Sequence, residues 1–293
     1  MTGLVITCDR AKGLVRAAVW RGKELLDLYL DQMDKPDMTG AIVRGKIIRV
    51  MDGGAKGWVD AGLAEHLYLE KVGDLRTGAW VNAEVLTTHA QGKAWPARLA
   101  QETGDEVNCV AVLVSPPLPW QRALQSLKGQ KNISVLFADC VDLALFEKEK
   151  AGMTAKLSRE PVHPQLEDVI ESLGDPVVPL AQGGSLVIEQ TEALVAVDVN
   201  GGAAKNPTDV NLRAVRELAR QIRLRNLSGL IVVDCLKMNE RSDGAKLINA
   251  FARLAEDDPC RPRALGLTKA GLLEITRRRA GPPLFEMMHG DKK

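Results

Sequence analysis

Apolar and polar positions divide the chain into strand-like runs in its first third and mixed strand and helix patterns in its last third. Residues 3–30 predict three short strands, in GLVITCD, GLVRAAVW and ELLDLYL. Ala11-Lys12-Gly13 and Arg21-Gly22-Lys23 separate them as hairpin turns would. The polar linker DQMDKPDM follows. Residues 40–99 then hold five more strand-like runs: AIVRGKIIRVM, GWVDAG, HLYLEKV, WVNAEVLTTH and AWPARLA. Asp52-Gly53-Gly54, Gly62, Gly78 and Gly92 punctuate them. Short, evenly spaced strands of this kind predict a small β-barrel such as an OB-fold.

Another strand is expected over 106–115, closed by SPPLP. Residues 120–180 are mixed. There QRALQSLKG predicts a short helix, ISVLF a strand and QLEDVIESLG a helix ending on Gly174, with EPVHP and GDPVVP as loops. From 185 the pattern sharpens. SLVIEQ and ALVAVDVN predict two strands joined at Thr191-Glu192. A helix is expected over 209–226, with Thr208 or Asp209 as N-cap and Gly229 near its stop. Leu212, Val215, Leu218, Ala219 and Ile222 fall on one face of it. GLIVVDC is apolar enough for a parallel strand buried on both faces. A helix over 242–256 should turn Ile248, Phe251 and Leu254 inward. RALGLT then predicts a strand and residues 271–279 a third helix, ending in Arg277, Arg278 and Arg279. The alternation is that of an α/β unit.

Composition sets outer limits. A chain of 293 residues with 45% hydrophobic content suggests about two domains, or one core with an insertion. A net charge of +1 excludes a polybasic nucleic-acid coat and makes any anion-binding surface local. The five cysteines, Cys8, Cys109, Cys140, Cys235 and Cys260, include no C-x-x-C pair, and their odd number points to a reducing compartment. No secretory signal or membrane-spanning run is expected, so a soluble cytoplasmic protein is.

The chemistry concentrates in two aspartates. Asp198 closes one strand and Asp234 the next parallel one, a crossover helix later. In an open α/β sheet the functional crevice lies outside the carboxyl ends of the strands. Neighbouring strands would bring both carboxylates into it, where they repel unless a hard cation such as Mg²⁺ lies between them. Asn200 shares their face and can hydrogen-bond a phosphate or a metal-bound water, and Gly201 and Gly202 would let a phosphodiester approach the backbone. The plainer alternative is that each aspartate caps a helix or pairs with an arginine. Arg213, Arg216, Arg220 and Arg223 fall within one arc of the crossover helix. Such a stripe suits phosphates, or forms a solvated face partly neutralised by Glu217. Trp58 and Tyr68, on successive barrel strands, either stack bases or fill the barrel.

These segments resemble a known family. GGSLVIEQTEALVAVDVN, VNLRAV, ARQIRLRNLSGLIVVDCLKM and TKAGLLEITRRR are similar, in order, to the catalytic region of the ribonuclease E/G family, densely from about 183 to 284. A weaker likeness covers 1–115, through RGKIIRV, GWVDAG and the hairpin containing Lys93. The resemblance implies an α+β and α/β multidomain fold. Its parts would be N-terminal strands over 1–37, an RNA-binding OB-fold over 38–100, a shortened RNase H-like or connecting region over 101–182, and a DNase I-like α/β catalytic subdomain over 183–288.

The resemblance also implies endonucleolytic cleavage of single-stranded RNA, in RNA processing or decay, by a metal-activated water that leaves 5′-phosphate and 3′-hydroxyl ends. Asp198 and Asp234 would hold Mg²⁺, with Mn²⁺ as the substitute, and Asn200 would orient the scissile phosphate. Trp58, Tyr68 and Lys93 would contact RNA from the barrel, and Arg213, Arg220 and Lys269 from the catalytic subdomain. Lys269 stands where the family usually has arginine, which keeps the charge but loses the bidentate fork. No arginine–threonine element for reading a 5′-monophosphate is found over 116–182, and no cysteine pair follows the last helix. Neither 5′-end sensing nor a structural zinc and zinc-linked tetramer is therefore expected, and a monomer and a dimer both stay open. An RNA-binding protein with weak or no nuclease activity is the alternative. A different Mg²⁺-dependent phosphotransfer enzyme ranks lower, since no Walker-type glycine loop is present.

Overall fold

The computed structural model describes residues 3–88, 92–101, 108–150, 153–158, 165–204, 206–238 and 240–289. The predicted EPVHP loop and His89 lie outside them. Three sheets organise the described chain. The first begins with β1 (Leu4–Ala11), β2 (Leu14–Arg21) and β3 (Glu24–Gln32), an antiparallel meander with the two expected hairpin turns.

After the linker, β4 (Ile42–Met51), β5 (Lys56–Asp60), β6 (Leu67–Glu70), β7 (Trp80–Val85) and β8 (Trp95–Leu99) close into a barrel, in the cyclic order β4-β5-β6-β8-β7. All its contacts are antiparallel except β6–β8. This is the OB-like barrel that the strand spacing predicts. Strand β4 pairs with β7 through its first half and β5 through its second, so it must bend. Gly45 sits there because a Cβ would come within 2.5 Å of Val59. Val43, Ile47, Val59, Leu67, Leu69 and Ala83 fill the interior. β9 (Ala111–Val114) adds to the outside of β4.

The chain then returns to the first sheet through α1 (Pro119–Ser126), β10 (Ile133–Phe137), α2 (Cys140–Glu149) and β11 (Ala155–Leu157). β10 joins β1 and β11 joins β10, both in parallel. The sequence pattern does not announce α2. Its helix starts because the Asp139 side chain accepts hydrogen bonds from the backbone N–H groups of Val141 and Asp142. It is held by Phe146, whose ring centroid lies 5.4 Å from those of both Trp120 and Phe137. α3 (Leu166–Gly174) covers the opposite face of this sheet through Leu166, Ile170 and Leu173.

The third sheet comprises β12 (Val177–Pro179), β13 (Ser185–Gln190), β14 (Val195–Asn200), β15 (Gly229–Asp234), β16 (Arg263–Leu267) and β17 (Leu272–Arg277), in the order β12-β13-β14-β15-β17-β16. Its helices are α4 (Pro207–Leu224), between β14 and β15, and α5 (Arg241–Leu254). A short α6 (Leu284–His289) follows. Val197, Ile231, Val233, Leu273 and Ile275 pack against Val215, Leu218, Ile222, Leu247 and Phe251 of the two helices. On the other face Val187, Ala196, Val232, Glu274 and Thr276 stay partly exposed.

Four local expectations need correction. Residues 272–277 are a strand, not a helix: Leu273, Ile275 and Arg277 alternate inward with Leu272, Glu274 and Thr276 outward. The slot between β15 and β16 takes that period-two pattern, and tertiary pairing overrides the helix-like arginine run. GDPVVP is not wholly loop, because Val177–Pro179 forms an edge strand, where a proline is tolerated. Helix α4 begins at Asn206, whose side chain accepts from the Thr208 N–H, with Pro207 in the first turn. In α5, Leu247 takes the buried place, whereas Leu254 is 43% exposed.

A buried ion pair ties the third sheet together. Arg277 on β17 donates through Nε to Asp258 Oδ2 at 2.8 Å, and through Nη1 to the Leu227 carbonyl at 2.9 Å and Asn226 Oδ1 at 3.0 Å. Its side chain and that of Asp258 are only 3% and 4% exposed. Asp258→Ala should strand the guanidinium and cost about 3–5 kcal/mol. Urea denaturation reads that loss, and the double replacement Asp258→Leu/Arg277→Met should recover most of it.

Candidate active site

Parallel pairing of β14 with β15 sets Asp198 directly opposite Asp234. Paired residues on neighbouring parallel strands face the same side at a strand spacing of about 4.8 Å. Both aspartates are exposed at the carboxyl ends of their strands, on the face that α4 and α5 leave open. Asn200 Nδ2 donates to Asp198 Oδ2 at 2.9 Å. Among the described residues neither carboxylate has an ion-pair partner, and neither caps a helix, since Asn206 precedes α4 and Glu240 precedes α5. The plainer explanations therefore do not account for the pair.

The surroundings fix the edge. Gly184 has φ +92°, and a Cβ on it would lie 2.5 Å from the Asn200 carbonyl, so the loop before β13 rests on the end of β14. Arg213 of α4 holds that loop by donating to the carbonyls of Ala181 and Gly183. Gly201 departs from expectation. A Cβ there would meet Leu236 at 2.9 Å, so the missing side chain makes room for packing rather than for a ligand.

The sequence reading missed the residue that holds the other strand. Asn211, fully buried one turn into α4, accepts from the Leu236 N–H at 3.0 Å and donates to the Leu236 carbonyl at 2.8 Å. This doubly bonded amide clamps the backbone just past Asp234. The only sequence sign is an amide beside the apolar stripe. Thr208 and Lys246 both bond Asp243, joining the starts of α4 and α5, and Lys246 holds the Asp243 carboxyl below its ordinary pKa.

The other predicted residues divide. Lys269 lies exposed in the turn between β16 and β17, at the same edge of the sheet, where Leu272 pairs with Asp234. Arg220 lies seven residues beyond Arg213, about 10 Å further from that edge along the helix. It bonds Glu217 at 3.0 Å. Arg223 pairs with Asp27 on β3, so three of the arc's four arginines are held by structural partners. In the barrel, Trp58 on β5 and Tyr68 on β6 are cross-strand partners outside the core, with ring centroids 5.4 Å apart at 64°. The Arg49 guanidinium lies 5.4 Å from the Trp58 ring centroid. Lys93 is exposed in the loop between β7 and β8. OB barrels bind oligonucleotides on the second and third strands and with the loop joining the fourth and fifth, which here carry Trp58, Tyr68 and Lys93.

Fold and site thus define a class: an OB-like barrel joined to an α/β sheet that ends in two facing carboxylates with no ion-pair partner among the described residues. Comparison with known proteins narrows it. Residues 146–280 match the Ribonuclease E/G family. Over 133 residues, 42% of this chain and 13% of the relative, it is 41% identical to the chloroplastic Ribonuclease E/G-like protein of Arabidopsis thaliana. Ribonuclease E of Synechocystis is 40% identical over 119 residues, 38% of this chain and 18% of the relative. Ribonuclease E of Escherichia coli is 39% identical over 134 residues, 43% of this chain and 13% of the relative. The matched part of the chain spans less than a fifth of these relatives' length. It contains Asp198, Asn200, Asp234, Arg213, Arg220 and Lys269, whereas Trp58, Tyr68 and Lys93 precede it.

The amide clamp is directly testable. Asn211→Ala would leave the Leu236 N–H and carbonyl unsatisfied, at about 1–3 kcal/mol for each group. Denaturation should show the loss, and amide exchange at Leu236 should accelerate more than exchange in the barrel.

Proposed function

We propose that the protein is a Mg²⁺-dependent endoribonuclease that cuts single-stranded RNA, in RNA processing or decay, leaving 5′-phosphate and 3′-hydroxyl ends. The observation that carries this reading is the register of Asp198 against Asp234, with no cationic partner for either among the described residues. Two solvent-facing carboxylates on adjacent strands are hard oxygen donors that fit Mg²⁺, or Mn²⁺ in its place, and would hold it. When bound, the ion offsets charge on the scissile phosphate and lowers the pKa of a nearby water. Asn200 keeps Asp198 in place with one N–H, and its second N–H is available to a phosphate oxygen. Lys269 adds a positive charge at the same edge, and Asn211 holds the chain after Asp234. Trp58, Tyr68, Arg49 and Lys93 would grip the strand by stacking and charge, with little sequence preference. The names of the relatives point the same way.

Cleavage of a 5′-labelled single-stranded RNA by purified protein tests the reading. Cutting should require Mg²⁺ or Mn²⁺, stop in EDTA, and fall at least a hundredfold in Asp198→Asn and Asp234→Asn while RNA binding persists. Trp58→Ala and Tyr68→Ala should each weaken binding by about 1–3 kcal/mol. Binding without cutting across both ions and several RNAs would make the protein an RNA-binding member instead. Full cutting by both aspartate variants would remove these residues from the site.

A further inference from the structure

At the end of the third sheet furthest from the aspartates, Gly229, Arg261, Arg263, Thr276, Arg277 and Arg278 line a groove of about 480 Å³. Four of these six residues are arginines, and no carboxylate lines the groove. Arg277 is used up by Asp258, Asn226 and Leu227. The other three are exposed. Arg278 donates from Nη2 to the Pro259 carbonyl at 2.9 Å, which leaves most of its fork unused. Among the described residues Arg261 and Arg263 form no ion pair and no side-chain hydrogen bond. Arg261 sits at φ +50°, an uncommon backbone for a residue with a side chain, held by its N–H to the Asp258 carbonyl at 2.9 Å. A tight turn, a strand and a strand end thus converge three cations on one concavity, where their mutual repulsion favours an anion.

The groove is continuous with the open face of the sheet. Arg263 pairs with Thr276, and Thr276 with Leu230 on β15. Leu230 lies four residues before Asp234, which at strand rise is about 13 Å. Along that path Val232 and Glu274 face each other, and Glu274 is the one acidic side chain of the row, half-buried. A stacked strand carries one charge per about 3.4 Å. The groove therefore stands about four phosphates from the aspartate edge, along a face that no helix covers.

We infer that the Arg261–Arg263–Arg278 groove is a second phosphodiester-binding site, which holds a single-stranded RNA by its backbone some four nucleotides from the aspartate pair. The three guanidinium groups match the bidentate geometry of phosphate oxygens and carry no means of reading bases. The inference rests on the endoribonuclease reading for the identity of its ligand, but not for the existence of an anion site.

Equilibrium binding of a uniform oligouridylate long enough to span both sites, measured as a function of salt, tests it. Asp198→Asn serves as the background so that nothing is cut. Each phosphate contact on a single strand contributes about 0.7 to the salt slope, so Arg261→Gln/Arg263→Gln should lower it by about 1.4. The matching lysine replacements should restore the slope, and an oligouridylate of three residues should not distinguish the variants. Thermal melts of each variant, unchanged because the groups are exposed, show that folding is intact. An unchanged slope in the glutamine variant, with wild-type binding intact, overturns the groove alone. Equal loss of affinity for polyglutamate and RNA makes it a docking site for an acidic protein and also overturns it. Inorganic phosphate that competes at constant ionic strength as well as the oligomer does reduces it to a free-phosphate site. Absence of any RNA binding by the parent protein overturns the endoribonuclease reading and the groove's RNA together.

Discussion

Everything at the aspartate edge depends on one parallel strand pair. Two consecutive strands can run parallel only if the chain crosses back between them, and here α4 makes that crossing. The helix does more than connect. Near its start Asn211 holds the backbone after Asp234 and Arg213 holds the loop against Asn200. Near its end Arg223 pairs with Asp27 of the first sheet, and Arg225 donates to the Asp175 carbonyl. Burial favours the neutral carboxyl of Asp27 and pushes its pKa up, against the pull of the guanidinium of Arg223. One helix thereby fixes both strand ends and couples the two sheets, with a stripe of Val215, Leu218 and Ile222 as its anchor.

The barrel is joined to this frame by a second buried carboxylate. Asp37, in the linker before β4, accepts from Thr39, Thr88 and Arg122, the last at 3.1 Å from α1. Gly281 follows the third sheet so closely that a Cβ there would lie 2.3 Å from an Asp37 oxygen. Charge buried with this many donors is costly to disturb, so the linker is a fixed joint rather than a tether. A barrel face bearing Trp58 and Tyr68 and a sheet edge bearing Asp198 and Asp234 are thus parts of one framework. On the endoribonuclease reading, a flexible strand of RNA is the kind of ligand that would touch both.

Much of this was legible in the residues themselves. The five barrel strands, the β1–β3 meander, the face of α4 and the placement of Asp198 and Asp234 at strand ends all follow from local periodicity and from strands ending in acidic residues. The family likeness rests on the same segments. What was not legible depends on partners distant in sequence. The run LLEITRRR has a helix-like end in its arginines, yet it is a strand because β15 and β16 flank it and bury Arg277 against Asp258, 19 residues away. Helix α2 has no clean apolar stripe and is set by its Asp139 cap and by Phe146. Asn211 looks like any amide on a helix until its two bonds to Leu236 are seen.

The sequence alone determined which segments take which period, that two carboxylates end strands separated by one helix, and that an amide stands beside one of them, because these properties are local to a few residues. The tertiary structure decided what each charge does. It left Asp198 and Asp234 without a cationic partner among the described residues, assigned Arg213 to carbonyls, Arg220 to Glu217 and Arg223 to Asp27, and gathered Arg261, Arg263 and Arg278 at one groove. A charged side chain's role is set by whichever partner the fold brings within a few ångströms, and its neighbours along the chain do not specify that partner.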